Sequence, residues 1–452
     1  MRVLFYTILI LSSGTACAQA ETPVILNGTT NIAPATNNTN VVTPSHELKE
    51  REEESLEVDS SASIVPVMSK ESLNLEDINQ EPSRKKYKMS RRAKQSSTFE
   101  EAEPVMEDAE KVNDELIIST EGIDDGYSNS QSTKAVEMQN VSTGFSSTYS
   151  VSDMQRTSRS PSIQQQFQMD QAVDYFEVNA PGSFESYYFK YVAGNYNTEL
   201  ISDLKVAEKI RPENADVHVQ LAGYYMIEED VDSALIYVEK LRESDRLADN
   251  VISYSGDILR SVPESGTLIT HGFDDGYGSY YAQNSSDVRS DVTLVSLDFL
   301  QSDSYRQNLE GKGFTLPESE AVDVDYLAEF CALNVDKNLS ISLTTPKEYF
   351  QAIQDKLYVA GLVFEYHPES YDNFSRNDFL WNNSMEKEVI SNPIDEKGKQ
   401  LSANYLPMLL HLRKVYKVTG EEKKLKDVDE VSDQVGVQSR KYEQVQQVKA
   451  SY

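Results

Sequence analysis

Gly266–Leu300, GTLITHGFDDGYGSYYAQNSSDVRSDVTLVSLDFL, decides the fold class. Thr267–Thr270 is a short apolar run that halts at His271-Gly272, the pattern of a buried strand entering a turn. Gly276–Asn284 then places Tyr277, Tyr280, Tyr281 and Asn284 at i, i+3, i+4 and i+7, one face of a helix. Val292–Leu300 is a second buried-type strand, through Val292, Leu294, Val295, Leu297, Phe299 and Leu300. Strand, helix and strand at this spacing make a βαβ unit, whose two strands run parallel. His271, Asp274 and Asp275 fall at the carboxyl end of the first strand, the side on which open α/β sheets place ligand crevices. Thr270, Gly272, Tyr277, Tyr281, Arg289 and Asp291 are the residues expected to line such a crevice.

Downstream, the alternation continues. Ser302–Leu309 and Ala321–Leu333 read as helices, Leu339–Leu343 (LSISL) as a strand, and Pro346–Leu357 as a helix opened by proline. Leu357–Tyr366, LYVAGLVFEY, reads as a fourth strand. The expectation is an α/β domain over 263–372 with a small, mostly parallel sheet. Leu401–Val418 is an amphipathic helix ended by Gly420, and Glu421–Val435 reads as its partner. Together they form a repeat-like helical pair within 373–436, followed by a tail over 437–452.

Upstream, residues 167–262 carry a periodic pattern. With Pro181 as position one of a 34-residue unit, Phe184, Tyr187, Tyr188, Tyr191, Leu204, Ala207 and Pro212 fall on positions 4, 7, 8, 11, 24, 27 and 32. With Ala215 as the next start, Leu221, Ala222, Tyr225, Ala234, Val238 and Leu241 fall on 7, 8, 11, 20, 24 and 27. This resembles the tetratricopeptide spacing, in which small residues at 8, 20 and 27 let paired helices close up. Tyr188 and Leu200 depart from it in the first unit. The resemblance implies α-helical pairs flanking the sheet and is silent on ligand.

The amino-terminal third is different in kind. Met1–Ala20 has an early Arg2, an apolar core and Ala18-Gln19-Ala20, the form of a cleavable export signal. Residues 21–166 are poor in aromatics and rich in polar and acidic side chains, so they read as a long disordered arm. That arm holds acidic runs on either side of one basic cluster, Ser83–Lys94. Removal of the leader takes Cys17 with it and leaves Cys331, a buried structural thiol within YLAEFCAL. Formal net charge is -32, from 42 basic against 74 acidic residues. A polyanion of that size excludes nucleic acid as a natural partner. No stretch after the leader has the roughly 20 apolar residues of a membrane span.

Residues 249–435 resemble the soluble carboxyl-terminal segment of a bacterial envelope family of multi-span, O-mannosyltransferase-like membrane proteins. That family carries T-N-G-D-N-D-T-[YF]-P-L-W-Y, then R-x-D-V, then L-Y-x-x-G-L-x-[YF]. Thr270, Gly272, Asp275, Tyr277 and Tyr281 match the first motif. Arg289, Asp291 and Val292 match the second, and Leu357, Tyr358, Gly361, Leu362 and Phe364 the third. His271, Phe273 and Gly278 stand where the family has Asn, Asp and Pro. The resemblance implies an envelope α/β module with flanking helices and, without the spans, no sugar transfer by this chain.

Two readings of the central cluster stay open. His271, Asp274 and Asp275 form an acid–base or metal-binding group, with Asp298, Asp303 or Asp257 as further ligands. Otherwise Asp274 and Asp275 cap the helix that follows them. Arg289 and Asp291 read as an ion pair at a strand entrance. No nucleophile elbow, zinc-protease motif, phosphate-binding loop or paired-cysteine motif is present. The expectation is therefore an exported, periplasmic or envelope-associated binding module or scaffold without cofactor or metal, acting on a protein or peptide partner. The alternative is an enzyme, or an enzyme's accessory, acting on envelope glycans.

Overall fold

The computed structural model describes residues 128–451. The export signal at 1–20, and the basic cluster with most of the arm, lie outside them. From Ser128 onward the expected arm is folded, which corrects its boundary at 166. Helix α1 spans Ser128–Asp153 and α2 spans Ile163–Asn179. Sparse apolar residues suffice here because they converge. Phe145, Met169, Ala172 and Phe176 pack with Phe189 and Val192 of α3 (Phe184–Ala193). Phe145 stacks on Phe189 at 3.9 Å between centroids, and Phe176 meets the same ring edge-on at 5.4 Å. Ser162 starts α2 in a reciprocal capping box with Gln165.

Two helical pairs follow, α3 with α4 (Ile201–Ile210) and α5 (Ala215–Ile227) with α6 (Val231–Glu243). Leu204, Ala207 and Leu221 are fully buried in a cluster of these helices, and Ala222, Ala234, Val238 and Leu241 are fully buried in the main core that continues into the sheet. Helix α7 (Asp249–Ser261) leads into β1 (Thr267–Thr270), α8 (Gly272–Ser286) and β2 (Thr293–Ser296). Helices α7 and α8 touch at Gly278, where an added Cβ would strike Ser255. That close approach explains why the position holds no larger residue.

The five-stranded sheet has the order β2-β1-β3-β5-β4, with β3 at Leu339–Ser342, β4 at Leu357–Ala360 and β5 at Val363–Tyr366. Strand β1 pairs in parallel with β2 and β3, whereas β5 is antiparallel to both β3 and β4. The sheet is therefore mixed rather than mostly parallel. The difference lies at Gly361, whose φ of 61° lets the expected single strand turn back in a two-residue hairpin joining Ala360 to Val363. Strands β1, β3, β4 and β5 are buried along their whole length. Both edges are plugged by side chains. Tyr305 Oη donates to Leu294 O and accepts from Ser296 N on β2, while Asn373 and Asn377 donate to Val359 O on β4.

Helices α9 (Asp303–Gly311) and α10 (Val324–Leu333) connect β2 to β3. The expected helix at 346–357 is instead two short 3₁₀ turns. Beyond β5 come α11 (Phe374–Phe379), α12 (Glu388–Ser391), α13 (Glu396–Ser402), α14 (Leu406–Thr419) and α15 (Glu422–Gln438). Gly420 ends α14 in the left-handed conformation. The expected tail contains α16 (Tyr442–Ala450), which buries Val445 and Val448 in the same core. Among the described residues no helix is long and apolar enough to cross a membrane.

Candidate functional site

Strand β1 connects through α8 to β2 on one side, and β3 lies on its other side. The carboxyl ends of β1 and β3 thus form a switch point, where chain leaves the sheet in opposite directions. His271 and Gly272 follow β1, Asp298 follows β2, and Thr344 and Thr345 follow β3.

Asp298 organises this edge. Its Oδ2 accepts the Gly272 N–H at 2.7 Å, so the first amide of α8 is satisfied from the neighbouring strand. That bond explains why α8 starts at Gly272, four residues before the helix expected from the tyrosine spacing. Its Oδ1 accepts from Arg159 Nε at 2.6 Å. Arg159 comes from the α1–α2 connection, a part of the expected arm, and also pairs with Asp153 at 2.6 Å. Arg159 N donates to Val322 O at 2.8 Å, and Val322 N donates to Ser160 Oγ at 2.9 Å. The connection is thereby seated beside the start of α10. Burial alone would raise Asp298, but Arg159 and the Gly272 amide outweigh it and hold the carboxyl below its usual range.

His271 occupies the N-cap position of α8 without a capping hydrogen bond from its side chain. Its ring meets Tyr349 edge-on at 5.6 Å, and its Nε2 is enclosed without a hydrogen-bond partner. Burial, then the nearby Arg159, lowers its pKa to about 3, so the imidazole is neutral at ordinary pH. Asp274 and Asp275 do not cap α8 through side-chain hydrogen bonds either. Both stand in its first turn, where the helix dipole favours negative charge. Asp274 pairs with Lys397 at 2.8 Å. Asp275, 2% exposed, accepts a hydrogen bond from the Thr344 hydroxyl. Burial pushes its pKa up to about 6, and the hydroxyls of Ser342 and Thr344 offset this only in part.

Of the other expected crevice residues, Thr270 and Gly272 stand at this edge and the rest are placed elsewhere. Thr270 is buried at the end of β1. Tyr277 donates to Val219 O at 2.8 Å and Tyr281 to Glu239 at 2.7 Å, so both fasten α8 to the helical pairs. Arg289 and Asp291 precede β2 and lie on the amino edge of the sheet, opposite His271. There Arg289 grips Asp291 through two bonds of 2.7 and 2.8 Å and donates to Val262 O and Pro263 O just after α7. The structure thus brings Thr270, His271, Gly272, Asp274 and Asp275 together at the carboxyl edge, and places Tyr277 and Tyr281 against the helical pairs and Arg289 and Asp291 at the amino edge.

Among the described residues no group of three or more His, Cys, Asp and Glu side chains is placed to hold a metal. Asp257 accepts from the amides of Glu386 and Lys387 and from Tyr405, which places it in the packing of α7. A cavity of about 30 Å³ beside Arg159 and Asp298, rimmed by Tyr149, Tyr196, Gln220 and Gln301, has room for about one water. Cys331 is buried, and that burial pushes its thiol up to about 12. Arg159, Thr344 and Lys397 carried no periodic signal. Only the Ser162–Gln165 capping box, at the foot of Arg159's loop, could have pointed to order there. Comparison with known protein families, curated proteins and solved structures finds no match to this chain.

Proposed function

We propose that this protein is an exported, non-catalytic binding module of the cell envelope, built from tetratricopeptide-like helical pairs on an α/β domain and acting on a protein or peptide partner. One observation carries the reading. The carboxylates at the switch point are committed to internal partners, Asp298 to Arg159, Asp274 to Lys397 and Asp275 to Thr344. Groups held in this way fix the geometry of β1, β2 and α8, and leave recognition to surfaces outside the edge.

A second reading is favoured by Asp275 and His271. A buried carboxyl with its pKa raised to about 6, on the same first turn and sheet edge as a neutral, unpartnered imidazole, suits proton transfer on a glycan. Incubating the protein with envelope glycans at pH 5 to 8 and following released reducing ends separates the two. The binding reading expects no turnover by wild type or Asp275→Asn. Turnover by wild type that disappears in a folded Asp275→Asn protein would replace it with the enzyme reading.

A further inference from the structure

Beside the closed switch point lies an open cleft of about 290 Å³, bounded by the end of α6, the start of α7 and the loop entering α13. This is near the lower limit for ligand pockets, ~300 Å³, and suits a side chain better than a cofactor. Its walls carry four carboxylates, Glu243, Asp245, Asp249 and Asp395, against one cation, Arg242. Arg242 is already held by Asp249 at 2.8 Å and Glu239 at 3.0 Å. Asp395 caps α13 through the Gly398 amide at 2.6 Å. Glu243 and Asp245 are exposed, and among the described residues neither pairs with a basic side chain.

Asn250 supplies an independent indication. It lines the cleft and is 2% exposed. Its Nδ2 donates to Asp395 at 3.3 Å, while its Oδ1 has no partner. A buried amide oxygen without a donor is costly, and what it lacks is an N–H or O–H. Ile394 stands at the rim, 67% exposed, where it can cover an aliphatic stem. The carboxylates do not converge as a metal cage. An anion would meet a surplus of negative charge.

We propose that this cleft receives the cationic side chain, arginine or lysine, of a partner peptide, with Glu243 and Asp245 meeting its charge and Asn250 accepting one of its hydrogen atoms. The proposal rests on the binding-module reading and names the class of partner. The cleft adjoins the switch point, because Lys397, two residues after Asp395, pairs with Asp274, and Arg246 stacks over Phe273 at 4.8 Å.

The test is calorimetric titration of the full chain with three blocked peptides that differ at one position, arginine, lysine or neutral citrulline. The arginine and lysine peptides should bind, more weakly as salt is raised, and citrulline should bind roughly tenfold less tightly. Asn250→Ala should weaken the arginine peptide. Because Asn250 also packs against Gly398, the cleaner variant is Glu243→Gln with Asp245→Asn, both exposed. Asn tolerates the positive φ of 57° at position 245. That pair should lose roughly tenfold in affinity with Tm unchanged. Equal binding of citrulline, indifference to the double variant, or no binding of any peptide would overturn the assignment. Such a failure leaves the binding-module reading standing, since that reading falls only if glycan turnover depends on Asp275.

Discussion

The two edges of the sheet each carry an arginine–aspartate pair, and the pairs differ in almost every other respect. On the amino edge Arg289 and Asp291 are two residues apart, a quarter and a third exposed, and joined by a two-bonded fork. On the carboxyl edge Arg159 and Asp298 are 139 residues apart and nearly enclosed. The first pair ties a turn to the end of α7. The second closes the sheet with chain from far upstream. Exposed pairs contribute little because water screens them, whereas breaking a buried pair strands a charge in a medium that solvates it poorly. The same two residue types therefore act as a local brace at one edge and as a keystone at the other.

The largest expected effect comes from breaking the keystone. Arg159→Met leaves Asp298 buried without its cation, and urea unfolding should show a loss of about 3–5 kcal/mol. A loss under 1 kcal/mol would make the two edges equivalent.

The next effect is pH-dependent. The folded-state pKa of Asp275 lies above its unfolded value, so the folded chain binds its proton more tightly. Its contribution is fully present below about pH 4 and is lost as pH rises through about 6. Asp275→Asn keeps an acceptor for Thr344 and removes the buried charge. The variant should match wild type at pH 4 and exceed it at pH 8 by on the order of 2–3 kcal/mol. An offset that is the same at both pH values would show that burial does not govern this carboxyl.

The smallest effect belongs to the amino edge. Arg289 keeps its bonds to backbone carbonyls when Asp291 is neutralised, so Asp291→Asn should cost about 1 kcal/mol or less. Salt should reduce the difference further. A cost as large as that of Arg159→Met would reverse the contrast between the edges.

The contrast also explains what could be read in advance. The βαβ unit, the helical pairs and the burial of Leu221, Ala222, Ala234, Val238 and Leu241 follow from periods of two and 3.6 residues, which are local. The hairpin was hidden because Leu357–Tyr366 is apolar on both sides of Gly361, and continuity of hydrophobicity does not show a reversal. Arg159 was hidden more deeply. It lies in a polar stretch whose composition suggests an unfolded arm, and its partner is distant in sequence. The dense cluster His271, Asp274 and Asp275 stands at the carboxyl edge of the sheet, as its place after the first apolar run indicated. The residues that give the edge its character, Asp298, Arg159 and Thr344, come from three other segments.

A double-mutant cycle on Arg159 and Asp298 tests the central claim most directly, with unfolding free energies measured for Arg159→Met, Asp298→Asn and both together. If the pair closes the sheet as a buried unit, the double variant will be less destabilised than the sum of the singles, with a coupling of at least about 2 kcal/mol. Additive losses would contradict it and reduce the carboxyl edge to the kind of brace found at the amino edge.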